Sequence, residues 1–204
     1  MTKVYIVDIK EFMSESNQSS KQAFLNKYTP AVSQQRQEKI KAFYFIDDKI
    51  RSLTAYLLLS SVLKKHYGVE GVLDFQVGYN GKPYLNDYKD IFFNISHCTN
   101  FVACIVGDQE VGIDIQDPFP FDLDIANLIC SPEELETLVA NSQVEKKRQL
   151  NRIWVLKEAY IKFTGQGMLA ALKKIDFSTE EKQKRQDATL ICIEKGSYYL
   201  GICF

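Results

Sequence analysis

The 204-residue chain reads as an α+β fold of two helix-plus-sheet halves, and three observations predict it. Short β-branched and aromatic runs recur along the chain, separated by turn signals. Two long helical stretches each end in glycine, Gly68 and Gly165, and each precedes strands. Both stretches also carry the dipeptide Ala-Tyr, at Ala55-Tyr56 and Ala159-Tyr160. A duplication fits that echo, although a dipeptide alone does not separate duplication from chance.

The elements follow in order. Val4-Tyr5-Ile6-Val7 has the composition of a strand. Residues 11–30 are polar and read as a loop. The stretch 33–43 is rich in good helix formers. Asp47 to His66 places Ile50, Leu53, Leu57, Leu58 and Val62 at helical spacing, with Asp47 or Asp48 as cap. Val72 to Tyr79 alternates like a strand, and Asn80-Gly81 marks a tight turn before Lys82-Pro83. Ile91–Ile95, Phe101–Val106 and Glu110–Ile115 are short apolar strands. Two prolines in Asp117-Pro-Phe-Pro-Phe interrupt both helix and ladder. The chain is therefore expected to divide into residues 1–116 and 117–204. Ser131-Pro132-Glu133-Glu134 is a capping box that opens a helix. Glu145 to Phe163 is a long helix ended by Thr164-Gly165-Gln166-Gly167, and three strand-like runs close the chain: Lys174–Phe177, Thr189–Ile193 and Tyr198–Cys203.

Composition excludes several classes. With 25 Lys+Arg against 26 Asp+Glu, the net charge of −1 carries no nucleic-acid footprint. A local basic pocket remains compatible with that balance. No apolar run approaches the roughly 20 residues that span a bilayer. Nor does the N-terminus read as a signal peptide, since acidic Asp8 follows its short apolar run at once. A soluble cytoplasmic protein is the expectation. Five cysteines without a CxxC pair argue for buried small hydrophobes. Two histidines, His66 and His97, are too few for a multi-histidine metal site, and no GxSxG elbow is present.

Four clusters carry chemistry. Val111-Gly-Ile-Asp114-Ile places a carboxylate inside an apolar strand, where a charge is costly unless paired or metal-bound. Strand alternation puts Gly112, Asp114 and Gln116 on one face. That face suits the start of a hard-cation site, or equally a strand-end carboxylate bonded to a backbone amide. In Trp154-Val-Leu-Lys157-Glu158-Ala-Tyr-Ile-Lys162, Glu158 and Lys162 share a helix face, as an active pair or as an ordinary surface ion pair. Asn94-Ile-Ser96-His97 supplies a hydroxyl and imidazole donors that suit a phosphate, or a turn bonded to its own backbone. Gly81-Lys82-Pro83 sets a lysine on a rigid turn.

Taken together and in order, these pieces resemble the 4′-phosphopantetheinyl transferase superfamily in its longer, monomeric Sfp-type branch. The motifs are GKP (81–83), NISH (94–97), VGID (111–114), CSPEE (130–134), WVLKEAYIK (154–162) and GQG (165–167).

The resemblance implies two similar α+β halves about a pseudo-twofold axis, each a small antiparallel sheet packed with a long helix, with coenzyme A between them. It implies transfer of phosphopantetheine from coenzyme A to a serine of an apo acyl or peptidyl carrier protein, and 3′,5′-ADP as the other product. Asp114 and Glu158 are then magnesium ligands, with Gln116 as a third, and Glu158 is also the general base. Lys162 binds phosphate oxygens and stabilises charge, with Lys157 as a secondary candidate. Ser96 and His97 contact the phosphates of coenzyme A. Lys82, Arg51, Arg36 and Lys39 meet its 3′-phosphate region. No nucleic acid or membrane partner is implied, and the chain is expected to be a monomer. Two positions depart from the family pattern: Gln116 stands where Glu is common, and Cys130 replaces an aromatic residue. The alternative is a non-catalytic protein of the same fold that binds coenzyme A or a carrier protein.

Overall fold

A computed structural model describes residues 1–78, 81–165, 172–179 and 188–204. The first half opens with strand β1 (Lys3–Asp8), followed by helices α1 (Lys10–Glu15), α2 (Gln18–Tyr28), α3 (Gln34–Ala42) and α4 (Ile46–Tyr67). A two-stranded ribbon of β2 (Phe75–Val77) and β3 (Pro83–Leu85) precedes the hairpin β4 (Phe92–His97) and β5 (Phe101–Gly107). Then come β6 (Gly112–Gln116), α5 (Leu123–Ile129), α6 (Pro132–Ala140), α7 (Gln143–Thr164), β7 (Leu190–Lys195) and β8 (Tyr198–Cys203).

Both main sheets are antiparallel and share one order. In the sheet β1-β5-β4 the first strand pairs with the last, and the same is true of β6-β8-β7. A 22-residue helix lies between the first strand and the hairpin in each half, α4 in one and α7 in the other. Each closes on a left-handed glycine, Gly68 and Gly165, both at φ 67°. The Ala-Tyr echo does not sit at matching distances from those two glycines. The likeness of the halves therefore rests on topology and not on that dipeptide.

Three apolar clusters hold this arrangement. One packs α4 against Phe93, Cys104 and Val106 of the first sheet. A second surrounds α7 with α5, α6 and Phe177. The third lies between the halves and joins Ala103 and Ile105 to Ile113, Ile115, Leu200 and Ile202.

Several expectations change. Residues 10–15 and 18–28 are helical, with Asn17 Oδ1 capping Ser20 N. Their few apolar residues, Phe12, Met13, Phe24 and Leu25, pack onto the α4 cluster, and tertiary burial overrides a polar local pattern. The division at 116/117 is not where the sheets divide, because β6 bonds to β8 and opens the second half as β1 opens the first. Sequence reasoning set the boundary at the prolines, which mark the end of that strand. The run 174–177 forms no strand; a 3-10 turn, Leu172–Lys174, occupies its start. Asp47 and Asp48 lie in the first turn of α4, and its N-cap, Phe45, makes no side-chain bond. Of the Asn80-Gly81 turn only Gly81 is described, and Gln166-Gly167 also lie outside the described residues. The Ser131 capping box is present with both bonds. All five cysteines are free, as expected, and four of them are buried.

Candidate active site

Asp114 projects from the middle of β6, directly opposite Gly201 of β8. On the face that carries it, two glycines stand beside it, Gly112 on the same strand and Gly201 on β8. A Cβ on Gly112 would lie 2.0 Å from Ala159 O, and one on Gly201 would lie 2.1 Å from Val155 O, both on α7. Glycine in these two strands lets the helix backbone settle onto the sheet. That approach is what brings side chains of α7 to Asp114.

Lys162 Nζ donates to Asp114 Oδ1 at 2.6 Å and to Ser96 Oγ at 3.2 Å. Ser96 Oγ donates to the same Asp114 oxygen at 2.9 Å. Asp114 and Glu158 are 6% and 5% exposed, so both are withdrawn from water. Burial pushes the Glu158 carboxyl above its ordinary value; Lys162 opposes the shift and Asp114 adds to it. Asp114 Oδ2 and Glu158 Oε1 are buried without a hydrogen-bond partner among the described residues. Two interacting carboxylates with unfilled lone pairs suit a divalent cation with oxygen ligands. Among the described residues no three His, Cys, Asp or Glu gather in one place. Asp114 and Glu158 offer two carboxylates, a donor set compatible with magnesium, which keeps several waters. Gln116 stands on the same face of β6, at its partly exposed end.

Strand β4 holds β6 in place from the first half. Asn94 Oδ1 accepts from Ile113 N at 3.1 Å, and Ser96 Oγ accepts from Ile115 N at 3.3 Å. Side chains thus satisfy the edge of β6 that no strand among the described residues covers. Neither reading of Asn94-Ile-Ser96-His97, a phosphate contact or a turn bonded to its own backbone, includes this role. The alternation of Asn94 and Ser96 along one strand was the available signal.

Around this centre lies a cationic wall. His97 is held below its ordinary value, first by desolvation and then by Arg51, Lys162 and Arg36, with Asp48 opposing. Arg51 pairs with Asp48 at 2.6 Å and bonds Thr99 O at 3.3 Å. Arg36 donates to Ser52 O at 2.7 Å, and its buried Nε has no partner among the described residues. Arg36 and Lys39 line a cavity of about 330 Å³ with Phe75, Val77, Pro83 and Phe93. Burial lowers both cations' pKa, and Arg36 lowers that of Lys39 further. A larger cavity, about 500 Å³, adjoins it at Pro83 and Phe93 and is bounded by Lys82, Tyr84, Tyr88 and Phe163.

Two lysines go elsewhere. Lys157 is fully buried in the second half, where its Nζ donates to Glu134 Oε2 at 2.5 Å, Ile129 O at 2.7 Å and Leu172 O at 2.9 Å. With its three hydrogens donated inside this core, Lys157 is not among the groups brought to the Asp114 centre. On the helix it points away from the face of Glu158 and Lys162, and one step of sequence decides the difference. Lys82 donates to Glu110, to Val111 O at 3.0 Å and to Phe163 O at 3.0 Å. Its ammonium thus has three acceptors within the protein.

Comparison with known proteins agrees with this geometry. A model of the 4′-phosphopantetheinyl transferase superfamily matches residues 110–202. A model of the N-terminal part of 4′-phosphopantetheinyl transferase matches residues 17–109. The two meet just before β6, where the sheets divide. The chain is 34% identical over 139 residues to a 4′-phosphopantetheinyl transferase of Bacillus subtilis, an alignment covering 68% of this chain and 62% of the relative. It is 33% identical over 138 residues to the 4′-phosphopantetheinyl transferase Sfp of Bacillus subtilis strain 168, covering 67% and 62%. To 4′-phosphopantetheinyl transferase HetI of Nostoc it is 34% identical over 143 residues, covering 67% and 60%. The chain thus spans about three fifths of the length of these relatives. It belongs to the 4′-phosphopantetheinyl transferase superfamily, in the Sfp-type branch. No helix among the described residues is long and apolar enough to cross a membrane.

Proposed function

We propose that this chain transfers the 4′-phosphopantetheine group of coenzyme A to a serine hydroxyl of an apo acyl or peptidyl carrier protein, releasing 3′,5′-ADP. The observation that carries this reading is the shared buried centre. Asp114 and Lys162 of the second half meet Ser96 of the first, Glu158 interacts with both Asp114 and Lys162, and among the described residues Asp114 Oδ2 and Glu158 Oε1 have no donor. The like order of the two sheets supports a pseudo-twofold relation of the halves, with coenzyme A between them.

Asp114 and Glu158 would hold magnesium, with Gln116 and water completing the set. When bound, the ion supplies positive charge against the pyrophosphate. Glu158 receives the proton of the attacking serine hydroxyl, directly or through a water. Burial that raises its proton affinity favours this task. Lys162 stabilises the charge that develops on the phosphate oxygens as the bond to 3′,5′-ADP breaks. His97, Arg51, Arg36 and Lys39 draw the other phosphates and the adenosine end into the cationic cavity, whose Phe75 and Phe93 offer apolar surface. The protein acts as a monomer in the cytoplasm, without nucleic acid.

The test is incubation with coenzyme A, magnesium and a panel of apo carrier proteins, read by mass. At least one carrier gains one phosphopantetheine group. Coenzyme A binding without a gain on any carrier overturns transfer in favour of a non-catalytic binding protein.

A further inference from the structure

An ammonium group has three hydrogens to donate. In Lys82 all three have a protein acceptor: the Glu110 carboxylate, Val111 O and Phe163 O. Its side chain is only 18% exposed. The two carbonyl acceptors, Val111 and Phe163, are far apart in sequence. Val111 immediately precedes β6, three residues before Asp114, and Phe163 immediately follows Lys162 in the last turn of α7. The last carbonyls of a helix lack intrahelical donors, and a cation there also meets the negative end of the helix dipole. Lys82 therefore caps α7 and ties it to the start of β6, one strand and one helix end on either side of the Asp114–Lys162 contact. The hairpin that carries it is itself closed, with Gly78 N donating to Lys82 O at 2.9 Å and Gly81 N to Gly78 O at 2.9 Å. Gly81, at φ 81°, supplies the left-handed residue this turn needs.

We infer that Lys82 is a positioning residue: it fixes the spacing of β6 and α7, and so of Asp114, Glu158 and Lys162, and its ammonium is not a ligand of the coenzyme A 3′-phosphate. The inference rests on the proposed transfer for its kinetic consequences alone. Its structural consequence stands apart from that reading.

The experiment compares wild type with Lys82→Met, Lys82→Arg and Glu110→Gln. Transfer to the best carrier of the panel is measured with coenzyme A and with dephospho-coenzyme A. Amide hydrogen exchange is followed on the free protein. A positioning role lowers kcat in Lys82→Met about tenfold or more, in the range set by small misplacements of catalytic groups. The loss is equal for the two substrates, with KM little changed. Glu110→Gln falls in the same direction, and the double variant is no worse than Lys82→Met, because both act through one contact. Lys82→Arg recovers part of the rate. In the free protein, Lys82→Met speeds exchange in residues 111–116 and 158–164. A phosphate ligand behaves otherwise: KM for coenzyme A alone rises, dephospho-coenzyme A is spared, and Glu110→Gln binds coenzyme A as well as wild type or better. That pattern, or unchanged exchange in both segments, overturns the inference. A wild-type protein that modifies no carrier sinks the proposed function, and the exchange data still decide the role of Lys82.

Discussion

Helix α7 carries two lysines that pair with buried carboxylates, and the pairs differ in completeness. Lys157–Glu134 lies in the core of the second half, where both side chains are wholly shielded. Every donor of Lys157 is used, and the Glu134 oxygens also accept from Ser131 N at 2.8 Å and Phe177 N at 2.7 Å. Lys162–Asp114 lies between the halves, one and a half turns further along. Its carboxylate keeps Oδ2 unpartnered, and neighbouring Glu158 keeps Oε1 unpartnered, among the described residues. A filled network joins the end of α5, the start of α6 and residue 177 into one unit. An unfilled one has capacity for something else. Glu134, Asp114 and Glu158 are all buried, so burial of a carboxylate does not by itself distinguish structure from function here, whereas satisfaction of its lone pairs does.

The comparison is broken most directly by exchanging the consequences. Glu158→Gln should abolish transfer, by at least about a hundredfold, as expected for loss of a general base. It should leave the protein folded. Lys157→Met should cost about 3–5 kcal/mol in urea unfolding, because Glu134 is then left buried without its cation. Replacing Glu134 by Gln as well should restore part of that stability. Equal stability losses at the two sites would show that both pairs are structural.

A smaller effect sharpens the comparison through pH. Burial raises the Glu158 carboxyl above 4.5, with Lys162 lowering it and Asp114 raising it. Folding thus favours its neutral form. The associated stability is fully present below the unfolded value and is lost as pH rises through the raised folded one. Glu158→Gln is neutral throughout and escapes that loss. In magnesium-free buffer its melting temperature should gain on wild type as pH is taken from below 4.5 to neutrality. A constant difference across that span would mean that the carboxyl is not raised.

The smallest effect belongs to Gln116. Gln116→Glu adds a charge to the same face of β6 and should tighten magnesium, leaving turnover at saturating magnesium nearly unchanged. Titrating magnesium against transfer rate for wild type, Gln116→Glu and Gln116→Ala reads this. Three superimposable curves would remove Gln116 from the site.

Much of this protein was legible in its residues because the signals are local. Gly68 and Gly165 end their helices since each supplies φ near 67° at no steric cost. Ser131 and Glu134 make a capping box within four residues. Asp114 is conspicuous because a carboxylate in an apolar strand needs a reason, and Glu158 and Lys162 share a face because helical spacing puts them there. What the sequence could not decide depends on which backbones touch. The strand 112–116 belongs to the second half because its partner is residues 199–203, far along the chain. Lys82 and Lys157 are cations like the others until the acceptors around them are known, and those come from residues 15 to 81 positions away in sequence. Helices 10–15 and 18–28 exist because a core built mainly by α4 gives their few apolar side chains something to cover. Local chemistry names the groups that can act; only packing, which sets burial and uses up hydrogen-bond capacity, decides which of them stay free to act.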